Sequence, residues 1–132
     1  MLHYISCGLK NIYLKNGYTV IESDYGSATS IHDTEGLHAT IGRHIINNKL
    51  KLSGAEARFF RKELGLSQVH LSHLLGVSEV SIRGWGNHRT KVTKPADKFL
   101  RILFAEHANG NKKIKEFFES LSQLNREEYT KI

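Results

Sequence analysis

Between residues 11 and 32 the chain reads as short β-branched and aromatic runs broken by glycine, and from residue 33 onward its apolar positions fall three and four apart. Ile12-Tyr13-Leu14 and Tyr18-Thr19-Val20-Ile21-Glu22 flank Asn16-Gly17. Asn-Gly accepts the positive φ of a tight turn, so residues 11–22 are expected to form a β-hairpin. Residues 29–32 are expected to add a short third strand after Tyr25-Gly26-Ser27. Asp33 or Thr34 then caps a helix reaching about Asn48, with Leu37, Ile41 and Ile45 along its apolar face.

Beyond Leu52 the pattern is helical throughout. Ser53-Gly54-Ala55-Glu56 has the form of a capping box and opens a helix that ends at Gly65. Ser67 caps a second helix closed by Gly76, and Ser78 caps a third, with Ile82 and Trp85 three apart on its buried side. Pro95 suits the first turn of a fourth, whose apolar positions are Phe99, Leu100, Ile102, Leu103 and Phe104. After Asn109-Gly110-Asn111, the residues Ile114, Phe117, Phe118 and Leu121 make the stripe of a fifth. This places a β-hairpin and helix module at residues 1–52 and a five-helix domain at 53–132, mainly α and α+β overall.

Length and composition constrain the setting. A chain of 132 residues with 39% hydrophobic and 24% charged content folds without staples, and no apolar run approaches the ~20 residues that span a bilayer. The single cysteine, Cys7, forbids an intrachain disulfide or a cysteine-rich zinc cluster. With no basic flank and apolar core of an export signal at residues 1–8, a cytoplasmic setting is expected, and no membrane partner. The net charge of +6 is unevenly spread: residues 83–101 hold Arg83, Arg89, Lys91, Lys94, Lys98 and Arg101 against Asp97 alone. Five of the six surplus charges therefore lie within nineteen residues, a distribution suited to a polyanion.

The charge adjoins a recognisable motif. Two short helices separated by Leu75-Gly76-Val77-Ser78 have the form of a helix-turn-helix: glycine in the turn, an apolar residue filling the angle, and a cap opening the second helix. Leu64-Gly65-Leu66-Ser67-Gln68, Leu74-Leu75-Gly76-Val77-Ser78 and Ile82-x-x-Trp85, within residues 55–104, resemble the XRE-type (phage repressor and Cro-like) DNA-binding domain. The longer chain, with Cys7-Gly8-Leu9, Asn16-Gly17-Tyr18 and Ser30-Ile31-His32-Asp33, further resembles regulators close to the MqsA-like antitoxins of toxin-antitoxin pairs.

The resemblance implies that helix 78–85 enters the major groove of a double-stranded DNA operator, leaving Ser78, Glu79, Val80, Ser81, Arg83 and Gly84 on the groove side. Glu79 suits cytosine N4–H, Val80 a thymine methyl, and Arg83 guanine or a phosphate. Gly84 permits close approach, Gln68 donates to a phosphate, and Asn87, Arg89 and Lys91 supply a backbone clamp. One departure stands out: the family often has Trp-Glu-x-Gly where this chain has Trp85-Gly86-Asn87-His88. The acid missing at Gly86 commonly pairs with a basic residue of the first helix, here Arg61, which is left to find solvent, another carboxylate or DNA.

Other chemistry is sparse. His70 with His73, and His38 with His44, share helices, but no Glu-x-x-His or cysteine pair completes a metal set, so neither metal nor cofactor is expected. Nothing flanking Cys7 would activate it, and no enzymatic activity is expected. Phe59, beside Phe60, is expected to dock the N-terminal module. The leading expectation is a homodimeric repressor on a palindromic operator. Its rivals are an antitoxin that binds a toxin protein and autoregulates its operon, and a protein–protein adaptor that uses the fold without DNA.

Overall fold

The strands owe their pairing to ladder length rather than to the most conspicuous turn. In the computed structural model, which describes residues 1–110 together with Glu116 and Ser120, β1 (Leu2–His3) pairs antiparallel with β2 (Tyr13–Leu14), and β3 (Tyr18–Ser23) pairs antiparallel with β4 (Gly26–Ile31). The hairpin expected across Asn16-Gly17 is not formed. Pairing β3 with the three-residue run at 12–14 would offer three cross-strand partners; pairing it with β4 offers six, from Tyr18↔Ile31 to Ser23↔Gly26. Leu14 is instead set opposite Leu2. Gly17 still takes a positive φ of 80°, but as a link between the two ribbons, where its carbonyl accepts from His32 N–H. The two-residue turn Asp24-Tyr25 closes the longer hairpin, with Ser23 Oγ accepting from Tyr25 N–H and donating to the Gly26 carbonyl.

Helix α1 (Thr34–Asn48) starts where Asp33 accepts from Gly36 N–H, so Asp33 is the cap. Ile41 and Ile45 are buried as the spacing predicts. Three histidines of this first unit are tied to neighbours: His38 Nε2 shares a 2.7 Å hydrogen bond with Tyr4 Oη, His32 Nε2 one of 2.6 Å with Thr19 Oγ1, and the His3 ring stacks on Tyr13 at 4.5 Å.

The second unit is helical: α2 (Gly54–Glu63), α3 (Gln68–Leu75), α4 (Glu79–Gly86) and α5 (Lys94–Ala108). The capping box at α2 is complete, Ser53 Oγ accepting from Glu56 N–H and Glu56 Oε1 accepting from Ser53 N–H. Thr93 caps α5, with Pro95 in its first turn. The core is built on Phe60, Phe104, Leu71 and Leu100. The rings of Phe59, Phe60 and Phe104 form one cluster, with centroids 4.8 to 6.3 Å apart, and burial of each ring contributes about 2–3 kcal/mol. Ile102 departs from the expected stripe and is 63% exposed, because it lies two positions from Leu100 and so on the opposite side of α5.

The chain divides into compact units at 1–48 and 49–132, four residues earlier than the composition change at 52. The intervening residues belong to the helical unit through their partners: Lys49 pairs with Glu56, and Leu52, itself buried, donates its N–H to Asp97 Oδ2 at 2.8 Å. Five helices and two small antiparallel ribbons among the described residues make the fold α+β. The helix expected from Ile114 to Leu121 lies outside the described residues. Among the described residues no helix is long and apolar enough to cross a membrane.

Candidate nucleic-acid interface

Helices α3 and α4 are joined by three residues whose backbone is set by Gly76, in the left-handed region at φ 66°, where an L side chain is disfavoured. Ser78 then caps α4 by accepting from Ser81 N–H. Ile82 and Trp85 are both buried, as their spacing predicts, and this fixes which face of α4 remains outside.

On the outer face the sequence-selected residues separate into groups. Ser78 and Arg83 are exposed and Val80 is 68% exposed, whereas Glu79 and Ser81 are half-buried. The Ser78 and Ser81 hydroxyls are 2.9 Å apart and hydrogen-bond each other. Gly84 is not on this face: it is buried, and Thr90 Oγ1 lies 2.6 Å from where a Cβ would stand. Its smallness serves the returning loop, since Gly84 O accepts from Arg89 N–H at 2.9 Å and from Thr90 N–H at 3.3 Å. With His88 N–H donating to Trp85 O and His88 itself at φ 59°, these bonds make a left-handed helix end with histidine where glycine is usual.

That helix end projects Asn87, Arg89 and Lys91, all exposed, directly after α4. Lys94 and Lys98 are exposed as well. Arg101 is different. Its Nε donates to Asp97 Oδ1, and the two side chains are only 16% and 14% exposed. The one acid of the basic segment is thus used internally on Arg101, and the exposed charge of residues 83–98 is left uncompensated by its own segment.

A cleft of about 230 Å³ lies between α2, the start of α3 and the end of α4. It brings together Gln68, Arg83 and Asn87 from the sequence-selected set with Arg58 and Arg61 of α2. Gly54 closes one side so tightly that a Cβ there would sit 1.7 Å from the Trp85 carbonyl oxygen. Arg61 Nη1 donates to Leu66 O at 2.8 Å, so its partner is a backbone carbonyl. Burial, and then the nearby charge of Arg58, hold the Arg61 guanidinium below its ordinary pKa. No described carboxylate pairs with Arg58, Arg61 or Arg83. Arg58 was not singled out from sequence; the available signal was two arginines three apart on α2 facing a glycine at position 86.

Among the described residues no three His, Cys, Asp or Glu side chains converge to hold a metal ion. Comparison with protein-family models, with curated proteins and with solved structures finds no match for this chain.

Proposed function

We propose that the chain is a sequence-specific DNA-binding regulator of the XRE type, acting as a homodimeric repressor with α4 in the major groove. One observation carries the reading: Ser78, Val80 and Arg83 are exposed on α4, and the segment that follows it exposes Asn87 and the cations Arg89, Lys91, Lys94 and Lys98, whose one acid is paired with Arg101. A helix face with short polar and aliphatic readers beside a cluster of phosphate-seeking cations is what base readout and backbone clamping require. Glu79 and Ser81, half-buried at the start of α4, contribute at the edge of that face. Two copies would set their α4 helices about 34 Å apart on successive grooves of a palindromic site.

The test is a mobility shift on the DNA upstream of the protein's own gene across a salt series. Affinity should fall steeply with salt, and Arg83→Ala should weaken specific binding by about 1–3 kcal/mol per site while leaving the helical unit folded. Absence of any salt-dependent shift, on this or any other duplex, would overturn the proposal in favour of a protein adaptor.

A further inference from the structure

The β3–β4 ribbon has two free edges, and they are chemically unequal. His32 N–H donates to Gly17 O at 3.0 Å, and the two-residue turn closes on Ser23↔Gly26. Hydrogen-bonded pairs alternate along an antiparallel ladder, so Thr19↔Ser30 and Ile21↔Ala28 exchange their bonds within the ribbon. The backbone N–H and C=O groups of Ser27, Thr29 and Ile31 on β4, and of Tyr18, Val20 and Glu22 on β3, therefore point outward. None of them meets a backbone partner among the described residues. Native sheets blunt such edges with charged side chains or proline. β3 carries Glu22 and runs into Asp24, whereas Gly26–Ile31 contains neither a charged residue nor proline. Ser27 and Thr29 are exposed and Ile31 is half-buried, so the unblunted edge is accessible to another strand.

That edge is complementary to itself. A second β4 laid antiparallel about a twofold axis at Thr29 sets Ser27 opposite the partner's Ile31, and Thr29 opposite the partner's Thr29. These are the outward-bonding positions, so about six inter-chain hydrogen bonds satisfy every open group of the edge. Between them Ala28 faces the partner's Ser30, and threonine opposite threonine is a favourable cross-strand pair. No like charges meet: Glu22 lies in the outer strand, at least roughly 14 Å from its copy at three strand spacings, which exceeds the Debye length of physiological salt. One face of the resulting sheet carries Tyr18, Val20, Thr29 and Ile31 from both copies, all β-branched or aromatic. The contact is also closed, since a twofold axis uses up both open edges and leaves only the charged β3 edges outside.

We propose that the chain forms a homodimer through β4, joining two ribbons into one four-stranded antiparallel sheet. This names the surface for the homodimer of the preceding reading and does not depend on DNA binding.

Sedimentation equilibrium of the full chain over a concentration series tests it. Thr29→Lys sets two ammonium groups against each other across the axis, and Thr29→Pro removes an outward N–H that the ribbon itself does not use. Each should weaken the dimer at least about tenfold, as should Thr29→Glu, while dichroism and melting curves establish that the variants are folded. Val20→Lys adds the same charge directly across the ribbon on β3, roughly 14 Å from its copy, and should leave dimerisation within about threefold. Mixing Thr29→Lys with Thr29→Glu should restore the dimer, because only a twofold axis at Thr29 brings those two side chains together. Dimer affinity unchanged in Thr29→Lys and Thr29→Pro, or no recovery in the mixture, overturns the β4 contact and leaves a homodimeric regulator built on another surface. A wild-type chain that stays monomeric overturns the contact together with the homodimer, and assigns the open edge to a foreign strand. A β4 dimer that shifts no duplex refutes the proposed function alone.

Discussion

His88 occupies a backbone conformation that favours glycine, and replacing it tests the described helix end quantitatively. At φ 59° a non-glycine residue gives up about 1–2 kcal/mol relative to a right-handed conformation. Glycine removes that cost but gains freedom in the unfolded chain, worth about 0.4–1 kcal/mol in the opposite direction. His88→Gly should therefore stabilise the helical unit by about 0.5–1 kcal/mol, raising its midpoint by about 2–8 °C at 4–8 °C per kcal/mol. Thermal and urea unfolding followed by Trp85 emission measure this directly. His88→Ala is the control, since it keeps the backbone angle and removes the imidazole; its stability should equal or fall slightly below wild type. A His88→Gly protein less stable than wild type, with a comparable loss in His88→Ala, would show that the exposed imidazole outweighs the backbone term and would refute the reasoning.

Gly54→Ala should be severely destabilising, by more than about 3 kcal/mol, because its Cβ would stand 1.7 Å from Trp85 O and must drive α2 and α4 apart; denaturant midpoints decide it. Asp97→Ala removes both the acceptor of Leu52 N–H and one ion-pair partner of Arg101, and should cost about 1–3 kcal/mol in urea unfolding.

The helical unit was legible because its signals are local and agree with one another: Ser53, Ser67 and Ser78 each accept from the N–H three residues on, and Ile82 and Trp85 face inward at the expected spacing. The strand pairing was not, because Asn16-Gly17 is a strong local turn signal and the decision rested on a longer ladder farther along the chain. The candidate interface was legible in part. The charge count took Arg101 together with the other cations of residues 83–101, but whether a charge is available depends on a partner such as Asp97, which sequence position alone does not assign. Gly84 likewise looked like a groove-side residue, since nothing at positions 84 to 90 announces that Thr90 folds back over it. Arg58 and Arg61 belong to a different helix from Arg83, so only packing of α2 against α4 joins them.

The β3–β4 ribbon carries its own thermodynamic consequence. Every residue from 19 to 30 is exposed, with Val20 and Ile21 about half so and Tyr25 fully. A two-stranded ribbon with neither face covered is marginally stable by itself, so its amides should exchange with solvent through local opening at a small fraction of the free energy that protects α2 and α5. Trp85, buried at 4% exposure in the helical unit, is blind to such openings. A single sharp transition in its emission therefore reports the helical unit, while far-ultraviolet dichroism, which also senses the ribbon, should show an additional change at lower denaturant.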